Sequence, residues 1–151
     1  MRNHRIQPDA IAYIRGGEKH LRLWGEVRFY QKPASVLVEV MVTGLPGDSE
    51  TGFFALHIHA GGSCGGKDFA DTGSHYNPEG VPHPRHAGDL PPLLQCGGGA
   101  YLAVDTDRFR VRDVIGRTVV IHQGRDDFTS QPAGDAGTKI ACGVIRRKGR
   151  G

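Results

Sequence analysis

The chain has 151 residues, 38% hydrophobic and 23% charged, enough for one folded core and too apolar for a disordered polymer. Its 19 Lys and Arg against 16 Asp and Glu leave a scattered net charge of +3, which argues against a nucleic-acid binder with a basic stripe. No apolar run approaches the ~20 residues of a membrane helix and no apolar leader core follows Met1–Arg5, so neither a membrane protein nor an unprocessed secretory precursor is expected.

Residues 1–9 read as an N-terminal tail. Ala10 to Ile14 is a short apolar strand that ends at Gly16-Gly17. From Leu21 to Tyr30 the chain alternates: Leu21, Leu23, Gly25, Val27 and Phe29 face one way, Arg22, Trp24, Glu26, Arg28 and Tyr30 the other. Val36 to Val42 alternates too, with Val36, Val38, Val40 and Val42 on one side. This period of two, carried by β-branched residues, predicts strands. Gly44, Pro46 and Gly47 mark a turn, and a further strand runs from Phe53 to His59.

The pattern then stops. Residues 60–99 hold ten Gly and five Pro and show no period, so this segment is expected to be a long loop ordered by something else, a metal being the obvious candidate. Strand character returns at Tyr101–Val104, Thr118–His122 and Ile140–Ile145, with a polar Gly/Asp loop from Gly124 to Gly137. No helix of ordinary length is written. The expected fold is all-β, a Greek-key antiparallel sandwich or flattened barrel of about eight strands in one domain over 10–146. A basic, solvated tail over 147–151 follows.

Histidine is the unusual count. Of 8, six lie between His57 and His122. His57 and His59 are two apart on a strand, so both rings leave the same face and could share a metal. An H-x-H pair alone is weak support. The loop adds His75, His83, His86 and Asp89, three nitrogens and an oxygen that would complete a closed tetrahedral zinc site. His122 matters only if folding brings it beside His57 and His59. The three cysteines, Cys64, Cys96 and Cys142, form no C-x-x-C pair and allow at most one internal disulfide.

The segments G-F-F-A-L-H-I-H, G-S-H-Y-N-P, R-H-A-G-D-L, G-R-T-V-V-I-H and G-T-K-I-A-C-G-V-I, in this order, resemble the copper/zinc superoxide dismutase family over about Ala10 to Ile145. The five-residue step from His59 to Cys64 is more similar to the bacterial branch. The resemblance implies one copper on His57, His59, His75 and His122, and one zinc on His75, His83, His86 and Asp89, with His75 as the shared bridge. It implies a Cys64–Cys142 disulfide, an Asp126 carboxylate linking the two metal sites, and catalytic roles for His75 and Lys139. The reaction implied is the disproportionation of superoxide, a small anion, by Cu(II)/Cu(I) cycling beside a structural zinc.

Several departures stand out. Lys139 holds the position of the family's active-site Arg, keeping the charge but not the rigid fork of donors. Ala133 stands where the family has Thr. The loops between His83 and His86 and from Gly124 to Gly137 are shortened. These changes predict a slower enzyme, by about tenfold, equivalent to about 1.4 kcal/mol of barrier. The alternative is a non-catalytic metal-binding or structural relative; a zinc hydrolase fits worse, because a full set of four zinc ligands leaves no place for water. Cys96 reads as a loop thiol without a task or, more sharply, as an intermolecular disulfide. Trp24 reads as a half-exposed aromatic or as a dimer contact, and a homodimer is compatible with the family's bacterial branch. A native start at Met1 implies the cytoplasm; a removed leader implies the periplasm or the exterior.

Overall fold

A computed structural model describes residues 6–149. Eight strands form one antiparallel sheet: β1 (Ala10–Gly16), β2 (Trp24–Gln31), β3 (Val36–Thr43), β4 (Phe53–His59), β5 (Asp89–Leu94), β6 (Ala100–Thr106), β7 (Thr118–His122) and β8 (Lys139–Arg147). The only helices among the described residues are a 3-10 turn at Lys67–Thr72 and one α-turn, α1, at Val111–Val114. Neither is long and apolar enough to cross a membrane.

The sheet order is β5-β4-β7-β8-β1-β2-β3-β6. After the β1-β2-β3 meander the chain leaves for β4 and β5 at the far end, returns to lay β6 on β3, and crosses again to β7. These are Greek-key connections, and β5 and β6 come close enough to nearly close a barrel.

The core follows the predicted alternation. Val27 and Phe29 of β2 and Val36, Val38 and Val40 of β3 point inward and are fully buried. They meet Ile14, Leu56, Ile58, Val119, Ile121 and Ile145 from the other strands. Trp24 lies on the outer face and is 58% exposed. Gly25 is required by packing, because a Cβ there would run into the Met41 carbonyl.

Four expectations are corrected. β2 begins at Trp24, and Leu21, expected on the core side, is 82% exposed. The chain from Gly17 to Leu23 is a double turn, closed by His20 N–H to Gly17 O and Leu23 N–H to His20 O, and Leu21 stands at its tip. Residues 60–99 are not without secondary structure: they contain the 3-10 turn and β5. Pro91 and Pro92 hid this strand. β5 is an edge strand, and its register on β4 shifts between Phe54 and Leu56, so the missing N–H groups break no ladder. Order also extends past Ile145, since Arg146 pairs with Ile11 and Arg147 with Ala10, and Lys148 N–H donates to Asp9 O. The expected basic tail thus gives its first residue to β8; Arg150 lies outside the described residues.

Candidate metal centre

β4 and β7 are buried on both faces. Phe54, Leu56 and Ile58 face the core, which leaves Ala55, His57 and His59 on the outer face, and these are buried as well. His57 lies opposite Val120 and His59 opposite Thr118, so Thr118, Val120 and His122 share that face. A bulge between Ile121 and His122 turns the last ring inward beside the others. The cover is the long segment after β4. It is stitched to the strand by Tyr76 N–H to Ile58 O, Ile58 N–H to Gly88 O and Ala60 N–H to Ser74 O, each 2.8 Å. The segment is therefore held by backbone hydrogen bonds as well as by whatever its side chains bind.

The first cluster is His57, His59, His75 and His122, whose candidate ligand atoms all lie within 4.8 Å of one another. Hydrogen bonds fix which nitrogen of each ring is left over. His59 Nδ1–H donates to Gly73 O at 2.8 Å, His122 Nδ1–H to Gly137 O at 3.2 Å, and the two free Nε2 atoms stand 3.3 Å apart. His57 uses Nε2–H on Asp126 at 2.8 Å, which leaves Nδ1 buried without a partner. His75 Nε2 is buried and unpartnered too.

The second cluster centres on Asp89, the first residue of β5. Its carboxylate lies 2.9 Å from His75 Nδ1, 3.0 Å from His83 Nδ1 and 3.2 Å from His86 Nδ1. His83 Nδ1 makes no hydrogen bond despite that distance, and His75 Nδ1 and His86 Nδ1 stand 3.2 Å apart. A tetrahedron with Zn–N bonds of ~2.0–2.1 Å has edges of about 3.3–3.4 Å. Atoms crowded at slightly less than this around a common centre fit a small cation. By mutual spacing within 4.8 Å the group on this side is His57, His75, His83 and Asp89 and does not include His86, which joins through its 3.2 Å approach to Asp89.

Asp126 joins the two clusters. One carboxylate oxygen accepts from His57 and the other from His83, both at 2.8 Å, and the Phe128 amide adds a third bond at 2.9 Å. Burial works against its charge, yet these donors hold the carboxyl at about 2, below the usual range. Burial likewise drives the His59 and His122 rings down to about 2 and about 3, so both are neutral and ready to bind a cation at ordinary pH. Burial lowers His57 and His86 in the same sense. A buried set of neutral imidazoles with orphaned nitrogens, closed by one carboxylate, suits copper on the all-nitrogen side and zinc on the mixed side.

Lys139 opens β8, opposite His122. Its Nζ donates to Thr72 Oγ1 at 2.7 Å and to Gly73 O at 3.1 Å, the same carbonyl that holds His59. Cys64 and Cys142 form a disulfide that ties the covering segment to β8, and Cys96 is a free, exposed thiol. Two further side chains grip the covering segment, Gln131 and Arg108, and no spacing in the sequence singles them out because they act on backbone atoms far along the chain.

The sequence model of the copper/zinc superoxide dismutase family matches residues 23–145. The chain belongs to the copper/zinc superoxide dismutase family. Among curated relatives, superoxide dismutase [Cu-Zn] 2 of Aquifex aeolicus is 34% identical over 81% of this chain and 78% of its own length. The copper chaperone for superoxide dismutase of Rattus norvegicus is 35% identical over 82% of this chain, which spans only 48% of the chaperone. A double mutant of a SOD-like protein from Bacillus subtilis shares the fold, with a TM-score of 0.75 at 24% identity over 90% of this chain and 96% of its own.

Proposed function

We propose that this chain is a superoxide dismutase that holds one copper on His57, His59, His75 and His122 and one zinc on His75, His83, His86 and Asp89. The observation that carries the reading is the placement of His75: its Nδ1 lies 2.9 Å from Asp89 in the second cluster, while its unpartnered Nε2 belongs to the first. Copper in the first cluster would supply one-electron exchange, taking an electron from one superoxide and returning it to the next, while zinc, without redox chemistry, would hold the loop. Two superoxide ions and two protons then yield one dioxygen and one hydrogen peroxide.

The chain's own groups do the rest. Asp126 fixes the tautomers of His57 and His83 and keeps both rings aimed. His75 Nε2 is the buried basic atom that can hold a proton for the reduced product. Lys139 supplies positive charge one carbonyl away from the His59 ring. It lines a depression of about 730 Å³ whose other charged residues are Lys19, Lys67, Glu18 and Asp68, and none of the proposed metal ligands lines it.

The test is metal analysis followed by a superoxide assay on the purified chain. The expected result is one copper and one zinc per chain, with turnover that persists in a chelator that silences free copper. Full loading with no turnover would leave the second reading, a metal-binding relative without catalysis. That reading is favoured by Lys139 in place of Arg and by the match to copper chaperones. Zinc without copper would sink the proposal.

A further inference from the structure

We propose that Gln131 and Arg108 are positioning residues for the zinc half of the site: from outside the covering segment they fix the backbone of the His83–His86 turn, so its rings are aimed before any metal arrives. The inference rests on the assignment of His83 and His86 as zinc ligands.

The turn needs such help. His83, His86 and Asp89 fall within seven residues that form no strand before Asp89. Local bonds are three: Arg85 N–H to Pro82 O, Asp89 N–H to His86 O at 3.1 Å, and His86 N–H to the Asp89 carboxylate at 3.0 Å; none of them touches the His83 backbone. Gln131 reaches across and grips both backbone groups of His83. The His83 N–H donates to Oε1 at 2.9 Å, and Nε2 donates to His83 O at 2.7 Å and to Thr129 O at 3.0 Å. Reversing the amide would set a donor against the His83 N–H and an acceptor against two carbonyls, so its orientation is fixed.

The same loop also carries Asp126, which takes His83 Nε2–H. One ligand thus has its backbone clamped by Gln131 and its ring steered by Asp126, leaving Nδ1 as the only free atom. Gly134 makes this geometry possible. It sits at φ 69°, and a Cβ there would strike both the Asp126 carboxylate and the His83 ring.

Arg108 grips the other side. Its Nη1 donates to Pro84 O at 2.7 Å and to His86 O at 3.2 Å. Its own base is firm, because the next residue, Phe109, is buried and packs edge-on against Phe29 at 6.4 Å between ring centroids. Both Gln131 and Arg108 are exposed, so removing either side chain opens no hole in the core. A surface substitution of this kind is normally close to neutral for stability. An effect on metal binding is therefore a signature of positioning rather than of general damage.

The experiment uses the full chain with its disulfide intact and Co(II) as the zinc probe. The visible spectrum of four-coordinate Co(II) reports site geometry, chelator competition reports affinity, and copper affinity is measured beside it. Gln131→Ala and Arg108→Ala are expected to weaken Co(II) and zinc binding by about 10- to 100-fold, with copper affinity changed by less than about threefold. Arg108→Lys, which can still reach the carbonyls, should restore most of the affinity. Gln131→Glu, which keeps the acceptor for the His83 N–H, should restore part; these two variants also serve if an alanine variant folds poorly. Alanine variants that bind Co(II) like the parent, or that lose copper and zinc equally, would overturn the inference and leave the site assignment standing. A parent that shows no four-coordinate Co(II) spectrum would overturn the assignment itself.

Discussion

The β1-β2-β3-β6 half of the barrel and the β4-β7-β8 half bury their strands in opposite ways. In β3, Val36, Val38 and Val40 go inward while Leu37, Glu39 and Met41 are left half-exposed on the outer face. Polar groups on that face pair with one another, as Arg28 Nη2 does with Glu26 at 3.0 Å and Tyr101 with Glu39 at 2.8 Å, although Arg28 Nε is left without a partner. In β7 every residue is buried, and the outer face of β4 and β7 carries three imidazoles under a long cover. Both halves share the apolar core removed from water. The second also encloses polar groups that cost free energy unless each finds a partner. The two halves should therefore fail under different insults.

The sharpest contrast comes from Phe29→Ala in the first half. Phe29 is fully buried against Phe109, and its truncation should cost about 3–5 kcal/mol in the metal-free and the metal-loaded chain alike, read by urea unfolding. A loss that metal loading erased would break the division into halves. Nearly as large is Cys142→Ser. The disulfide spans 78 residues, and in the chain-entropy account its loss costs about 4.5 kcal/mol. Amide exchange should show that cost as early opening around residues 60–75, with β2 and β3 still protected.

Asp126→Asn acts only on the enclosed polar half. An amide can accept from one ring through its oxygen but presents a donor to the other, so either His57 or His83 loses its hold. Metal affinity should fall by about 10- to 100-fold, or about 1.4–2.8 kcal/mol, measured by chelator competition. An unchanged affinity would mean that the carboxylate is packing rather than aiming.

Lys139→Arg tests the opening of the site. Arg restores the donor fork and should raise the superoxide rate by up to about tenfold, while Lys139→Ala should lower it and flatten its salt dependence. Burial lowers the Lys139 ammonium from its ordinary value. The cation is lost as pH rises, so the rate should decline in alkali at a pH below the ordinary lysine range, and Lys139→Arg should remove that decline. A parent profile flat into strong alkali would separate Lys139 from anion capture.

The two halves were also unequally legible. Alternation alone outlines β2 and β3, because a strand with one wet face must write its period into the chain, whereas β4 and β7, buried on both faces, show only as short apolar runs. The His57, His59, His75 and His122 cluster is visible only as motifs in order; no local rule brings residues so far apart together, and it is the β4–β7 pairing that joins His57, His59 and His122 and a bridge to His59 that adds His75. β5 was hidden by Pro91 and Pro92, whose cost vanishes only at an edge. Gln131 and Arg108 left no trace, since a side chain that binds a distant carbonyl needs no pattern around it.

Leu21 and Leu23 give the smallest effect and the finest test of that lesson. Alternation assigns both to the inner face, yet Leu23 is 1% exposed and Leu21 is 82% exposed. The turn closed by Gly17, His20 and Leu23 lifts Leu21 away before β2 begins, so the period holds only where the ladder does. Leu21→Ser should change stability by no more than about 0.5 kcal/mol, whereas Leu23→Ala should cost about 2–5 kcal/mol. If urea unfolding found equal losses at the two positions, Leu21 would have to pack against something on the barrel, and the strand would start where its alternation starts rather than at Trp24.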